Sequence, residues 1–362
     1  MATICLNMIV KDEARVIDRC LRSVRPWVDC WMIVDTGSND DTPNRVRAAM
    51  AGIPGELVER PWRNFGHNRT EALELARHRA DYLLFIDADE QLSADAGAAW
   101  PALMDKPAYS IEARFGEMAY DRVALVSTGL DWHWRGVLHE YLDAGTVVEQ
   151  PRIPGFRIEV TPDGARSRDP RKYERDAALL EAALRLEPDN ARYVFYLAQS
   201  YRDGGEPKKA RDTYQRRAEM GGWEEEAWYA LFQVARLSES LKMPAEVVVN
   251  DHLRAFEARP QRAETLTWLA SYCRSRQQWQ QAYLFAVDAA ARPRSTDRLF
   301  VDLPVYQWRA LDELALAAFY TGRMRQASEC WSRLLASPDL PDGERRRIEA
   351  NIAYCINVGP HS

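Results

Sequence analysis

No apolar run in these 362 residues approaches the roughly 18 that a membrane-crossing helix needs, so the sequence predicts no membrane span. Cysteine pairs at metal or redox spacing are missing as well. The six cysteines (Cys5, Cys20, Cys30, Cys273, Cys330, Cys355) are scattered, which suits reduced core thiols and argues against a disulfide framework or a zinc site. There is no excess of positive charge. A net charge of −6 argues against nucleic-acid binding through overall charge, and no nucleic-acid partner is expected. The apolar opening, residues 1–10, lacks a basic start and a cleavage site and is cut short by Lys11-Asp12-Glu13. It reads as a first strand and not as a signal peptide, and with the thiols it points to a cytoplasmic protein.

What is present is an ordinary soluble composition, 46% apolar and 28% charged, at a length that favours two domains. The chain is organised around Asp81-Tyr82-Leu83-Leu84-Phe85-Ile86-Asp87-Ala88-Asp89-Glu90. A short continuous apolar run reads as a strand buried on both faces, inside an α/β sheet whose open end binds ligands. Asp87 and Asp89 stand at that end, and on a strand they would point to the same side. Two such carboxylates repel unless a cation lies between them, and Mg²⁺ or Mn²⁺ would supply it together with a substrate phosphate.

Strand and helix alternate ahead of this point. Residues 3–10 read as a strand, Val16, Ile17, Cys20, Leu21 and Val24 fall at helical spacing, and Pro26 marks the stop. Residues 31–34 form a second strand that runs into Asp35, where a carboxylate can accept from a nucleotide base. A helix follows Pro43, 57–59 is a short third strand, and 70–78 is a helix with Arg69 near its start, placed to meet phosphate. The alternation implies a parallel sheet with right-handed crossovers.

Ile-Val-Lys-Asp-Glu-Ala at 9–14, Val-Asp-Thr-Gly-Ser-Asn-Asp-Asp-Thr at 34–42, the Asn68-Arg69 pair and Ile-Asp-Ala-Asp-Glu at 86–90 together resemble glycosyltransferase family 2, in that family's order and over roughly residues 1–165. The resemblance implies a GT-A fold, a nucleotide-diphosphate sugar donor such as a UDP- or GDP-sugar, a divalent metal (Mn²⁺ or Mg²⁺) and inversion at the anomeric carbon. It implies nucleoside contacts for Glu13 and Asp35, a place for Asp87 beside the ribose and metal, and metal binding by Asp89. Asp12 and Asn39-Asp40-Asp41 depart from the commoner family residues without removing a carboxylate the chemistry needs.

Residues 109–130 alternate like antiparallel edge strands. They lead into Asp131-Trp132-His133-Trp134-Arg135-Gly136-Val137-Leu138-His139-Glu140. A Gly-x-x-His-Glu element stands at a similar place in lipopolysaccharide-core-type members of the family, so the resemblance assigns His139 to the metal. Glu140 is the expected general base, with Asp131 and Asp121 as rivals. His139 and Glu140 reach one site only if this segment turns. Trp132 and Trp134 are expected to stack on the acceptor sugar, core packing being the alternative.

From about residue 166 the sequence is helical and self-similar, like tetratricopeptide (TPR) repeats. Leu197, Ala198, Tyr201, Ala210 and Tyr214 fit the key positions once. Leu269, Ala270, Cys273, Ala282, Ala286 and Ala289 fit again, and Leu314, Ala315, Ala318, Ala327 and Trp331 a third time. The region 228–260 is an irregular further unit, and Arg211, Arg216 and Arg217 read as solvated. The expected architecture is therefore an α/β glycosyltransferase domain over residues 1–165 followed by an all-α TPR superhelix over 166–362. The first functional reading is a metal-dependent sugar transferase whose repeats hold a peptide, protein or saccharide acceptor, or a second copy in a homodimer. The second is an interaction scaffold with an inactive transferase domain. A nucleotidyltransferase would show a Gly-x-Gly-x-x loop where Lys11-Asp12-Glu13 stands.

Overall fold

The computed structural model describes residues 2–358; Met1 and residues 359–362 lie outside the described part. The chain divides into two compact units, Met1–Gly205 and Glu206–Ser362.

The first unit runs β1 (Ile4–Val10), α1 (Ile17–Val24), β2 (Cys30–Asp35), α2 (Thr42–Ala49), β3 (Gly55–Glu59), α3 (Phe65–Ala76), β4 (Tyr82–Phe85), β5 (Glu90–Ala94), β6 (Ala108–Phe115), β7 (Met118–Ser127), β8 (His133–Arg135), β9 (Tyr141–Asp143), β10 (Arg152–Val160), α4 (Lys172–Leu186) and α5 (Ala191–Asp203). Its main sheet has the order β3-β2-β1-β4-β7-β6-β10-β5, and β8 with β9 forms a separate two-stranded ribbon. β1 to β4 are mutually parallel, and β7 joins β4 antiparallel. The chain steps from β1 to β2 to β3, then returns through α3 to place β4 on the other side of β1. That reversal opens a crevice beyond the carboxyl ends of β1 and β4, the usual ligand position in such sheets.

The apolar runs are continuous because both faces of the sheet are covered. Ile4, Leu6, Met8 and Val10 pack with Ile17, Leu21 and Val24 of α1 and Val46 of α2. Cys5 faces the other way, with Met32, Leu83 and Phe85 against Leu73 and Ala76 of α3. This is the period of two expected of a strand. Asn7 is the polar exception in β1: it is buried, and its amide donates to the Ala72 carbonyl of α3 at 2.8 Å.

Two local expectations are corrected. Helix α3 begins at Phe65 and not at Thr70, because Asn64 caps it, its Oδ1 accepting from the His67 N–H at 2.8 Å. Arg69 therefore sits in the second turn. Gly66 does not delay the helix; a Cβ there would lie 2.9 Å from the Gly136 carbonyl oxygen, so its bareness lets α3 approach that segment. Asp87 and Asp89 are not on a strand. β4 ends at Phe85, and Asp87 to Glu90 form a turn closed by the Glu90 N–H on the Asp87 carbonyl at 3.0 Å.

The second unit contains α6 (Pro207–Glu219), α7 (Glu224–Ser240), α8 (Ala245–Ala258), α9 (Ala263–Ser275), α10 (Trp279–Ala290), α11 (Ala310–Tyr320), α12 (Met324–Leu335) and α13 (Asp342–Val358), each packed on the next. These helices form the array that the resemblance to TPR repeats implies. Ala270, Ala282, Ala286, Ala315, Ala318 and Ala327 are buried where helices approach, and Trp331 fills the space between them with its Nε1 donating to Asp312. Two arginines expected to be solvated are structural. Arg217 is buried and bonded to Glu226 and the Gly221 carbonyl, and Arg211 to Ser238 and Asp251. Their carboxylate partners lie on the neighbouring helices α7 and α8, where helix periodicity alone does not reveal them. The segment between α10 and α11 is tied down by buried Arg262, which bonds Glu264, Asp297 and the carbonyls of Leu299 and Phe300. No described helix is long and apolar enough to cross a membrane.

Candidate active site

The crevice is built from the loops that leave β1, β2 and β4. Leaving β1, Asp12 takes a left-handed conformation (φ 55°) and donates its N–H to Ser38 Oγ at 2.9 Å, while its Oδ1 accepts from the Asn39 N–H at 2.7 Å. The Glu13 N–H reaches Thr42 Oγ1 and the Ala14 N–H reaches Asp40 Oδ2. The two loops are thus laced together by the polar residues at 38–42. Asp at 12 serves this role through its short side chain and its tolerance of a positive φ.

Asp35 closes β2 and is buried. Its Oδ1 accepts from the N–H groups of Gly37 and Ser38 at 2.8 and 2.7 Å, and its Oδ2 is buried without a hydrogen-bond partner. A carboxylate oxygen in that state is an unsatisfied acceptor, which costs free energy unless something donates to it. Asp35, Ser38, Pro43, Glu59 and Arg60 line a cleft of about 390 Å³.

The three acids of the β4 turn are in three different electrostatic states. Asp87 is ion-paired with Arg69 at 2.6 Å and lies 4.0 Å from Arg122. Burial opposes its charge, but Arg69 and then Arg122 outweigh it, and its pKa falls below the ordinary carboxylate value. Glu90 is buried, gripped through both oxygens by Arg122 at 2.6 Å, and accepts the Asp87 N–H at 2.8 Å. Asp89 is in no ion pair among the described residues; burial, then Asp87 and Glu90, push its pKa up to about 6. Gly164 lies against its carboxylate, where a Cβ would stand 2.8 Å from Oδ2. Glu13 accepts from the Ala165 N–H, and burial, with the Asp89 charge adding to it, raises its pKa to about 7.

Glu140 faces the same turn. It follows a bend shaped by Gly136 (φ 113°) and His139 (φ 52°) and precedes β9. Its Oε2 lies 3.6 Å from Arg69 Nε, its Oε1 is buried without a hydrogen-bond partner, and burial raises its pKa against the pull of Arg69. Arg69 therefore bridges Asp87 and Glu140, stacked over the Trp134 ring at 5.1 Å. The two rivals for the base are ion-paired, Asp131 to Arg77 and Asp121 to Arg152, each at 2.7 Å.

His139 turns away from its neighbour. The residue is exposed, its ring stacks on Tyr196 at 3.9 Å, and desolvation by the groups packed around it, followed by the charges of Arg166, Arg192 and Lys172, lowers its pKa. Among the described residues no three His, Cys, Asp or Glu side chains gather as a metal cluster, so Asp89 and His139 do not meet in one. Trp132 is 2% exposed in the core behind β4, its Nε1 bonded to the Ser127 carbonyl, and has no open face for a sugar. Trp134 packs edge-on to Phe85 beneath Arg69. Sequence reading missed Arg122, Arg192 and Tyr196. Arg122 stands directly after Asp121 in β7, and no local signal ties it to Glu90.

Residues 5–112 match the profile of Glycosyl transferase family 2. A TPR repeat-containing protein of Synechococcus elongatus is 34% identical over 170 residues, 45% of this chain and 41% of that protein. A glycosyltransferase of Rickettsia felis is 34% identical over 95 residues, covering 26% of this chain and 31% of its own. The SPbeta prophage-derived glycosyltransferase SunS of Bacillus subtilis is 30% identical over 94 residues, 26% of this chain and 21% of its own. The chain thus spans less than half the length of these relatives. Among solved structures, the TPR protein YrrB aligns at a TM-score of 0.35 and 13% identity, over 51% of this chain and 82% of its own, a likeness too slight to add to the helix packing above.

Proposed function

We propose that this chain, with its glycosyl transferase family 2 domain followed by helical repeats, transfers a sugar from a uridine diphosphate donor to an acceptor nucleophile with inversion. The observation that carries the reading is Asp89, an acid in no ion pair among the described residues, at the point where the sheet reverses, beside an Asp87 held ionised by two arginines.

Asp35 is the base-reading residue. Only its Oδ2 is free to accept, which favours a base edge with one N–H, as in uracil, over guanine with two. Glu13 borders the nucleoside from the loop laced to that of Asp35, and Asp87 lies by the ribose with its charge fixed by Arg69. A divalent cation fits at Asp89, because burial and then the like charges of Asp87 and Glu90 have raised that carboxylate, and among the described residues it is in no ion pair. When bound, Mn²⁺ or Mg²⁺ would stabilise the charge that grows on the departing diphosphate.

Glu140 is the base. The acceptor's nucleophilic atom forms a bond to the anomeric carbon, the bond from that carbon to the diphosphate oxygen breaks, and the acceptor proton passes to Glu140 Oε1. Arg69 holds the other oxygen of Glu140 and so orients the first. Trp134 lies under Arg69, beside this chemistry. The repeats suit an extended peptide as acceptor, with a saccharide as the other class to try.

Calorimetry with UDP and GDP, with and without Mn²⁺, tests the reading. The expected result is Mn²⁺-dependent binding of UDP, weaker binding of GDP, and loss of the metal dependence in Asp89→Ala. No binding of either nucleotide under any metal condition would overturn the transferase reading in favour of a scaffold. Metal-dependent donor turnover that survives Asp89→Ala would remove the metal assignment alone.

A further inference from the structure

The bend at residues 136–140 is held from a direction the transferase domain does not predict. Helix α5 lies at the start of the helical sequence, yet it presents three side chains to this bend. The Arg192 guanidinium donates through Nε and a terminal nitrogen to the His139 carbonyl, at 3.1 and 2.9 Å. Tyr193 takes a hydrogen bond from the Val137 N–H, and Tyr196 stacks on the His139 ring at 3.9 Å. Arg192 is itself placed between aromatic rings, 5.1 Å from Tyr141 and 4.9 Å from Tyr196. A positive φ is uncommon for any residue but glycine, histidine included though less so than most, and here a fork of two donors on its own carbonyl holds it. The next residue is Glu140, whose carboxylate turns inward to Arg69.

We propose that Arg192 is a positioning residue for Glu140: by gripping the His139 carbonyl it holds the left-handed turn that aims the neighbouring carboxylate at Arg69 and the acceptor. This rests on the reading of Glu140 as the base. It makes α5, from the helical sequence that follows residue 166, part of the transferase centre. Arg192 touches neither donor nor acceptor and acts only through the main chain. A lysine supplies one donor where arginine supplies a fork, so it replaces the function in part. Glycine adopts a positive φ freely, so His139→Gly reduces the need for the clamp.

The test compares the wild type with Arg192→Met, Arg192→Lys and Arg192→Met/His139→Gly in the full chain. Hydrogen exchange over residues 136–141 reads the clamp, calorimetry with Mn²⁺ and UDP reads the donor site, and release of UDP from UDP-glucose or UDP-N-acetylglucosamine reads turnover. For Arg192→Met, exchange in the bend rises, UDP affinity stays within about twofold, and kcat falls by about tenfold or more. Arg192→Lys is intermediate, and the glycine recovers part of kcat. Unchanged exchange at 136–141 in Arg192→Met overturns the inference, as does faster exchange with unchanged kcat. A wild type that binds no UDP while its bend still loosens in Arg192→Met defeats the transferase reading and leaves the clamp standing.

Discussion

Arg122 holds both carboxylate oxygens of Glu90 at 2.6 Å, and Glu90 in turn accepts the main-chain N–H of Asp87. An arginine on β7 thereby fixes the turn that follows β4. Removing it strands a carboxylate that is 3% exposed. Arg122→Met is expected to destabilise the protein by about 2–4 kcal/mol, read from urea or thermal unfolding. Adding Glu90→Gln should recover part of the loss, because an amide costs less to leave buried than a carboxylate. Equal stability of the single and double variants would count against this account.

Asp35→Asn tests the nucleoside contact. The amide oxygen can keep the Gly37 and Ser38 N–H groups, so stability should change by less than about 1 kcal/mol. The position of Oδ2 becomes a donor facing a donor. UDP binding by calorimetry is expected to weaken by about 10- to 100-fold, the usual effect of a lost and mismatched buried hydrogen bond.

Glu13 gives a pH-dependent effect. Its folded pKa, about 7, stands above the ordinary 4.5 because burial disfavours the charge. The folded state therefore holds this proton more tightly than the unfolded state. The stability it contributes is complete below about pH 4.5 and is lost as pH rises through about 7. Glu13→Gln keeps an acceptor for the Ala165 N–H without the charge. The variant should match the wild type near pH 4 and exceed it at pH 8 by no more than about 1–2 kcal/mol, because the group is partly solvated. Unfolding measured at the two pH values decides it.

Gly66→Ala probes how closely α3 approaches the bend. The added Cβ would meet the Gly136 carbonyl oxygen at 2.9 Å, and backbone on both sides cannot swing aside. A loss of about 1–3 kcal/mol is expected. Because α3 carries Arg69 and the bend carries Glu140, kcat should fall more than UDP affinity. A melting temperature equal to the wild type's would contradict the close approach.

Much of this was legible in the sequence, and for physical reasons. Strands buried on both faces announce themselves as runs such as Tyr82 to Phe85, and the alanine spacing of α9 to α12 reveals helices packed at close range. The positions of Asp35, Asp87 and Asp89 follow from strands ending where the acids begin. The partners of those acids were hidden. Arg122 is 32 residues from Glu90, and Arg192 is 53 from His139, so no local period connects them. Trp132 and Trp134 looked alike because strand alternation puts them on one face. The chain does not enter β8 until His133, so that parity does not govern Trp132, which drops into the core. The early start of α3 was obscured by Gly66, whose low helix propensity is outweighed by the Asn64 cap and by a neighbour that requires its bareness.

The amide of Asn7 works as a key in a shaft. It sits in β1, between β2 and β4, opposite Phe85 in the pairing with β4, and donates to a single carbonyl of α3 three residues beyond Arg69. A helix packed only by greasy contacts can creep along a sheet at little cost. One residue of slippage would move Arg69 by about 1.5 Å and leave the buried amide with only its longer contact, 3.4 Å to the Met32 carbonyl. Strand, helix and arginine are thereby indexed to one another, and the distance from Arg69 to Asp87 is set from underneath, by a residue with no part in the chemistry.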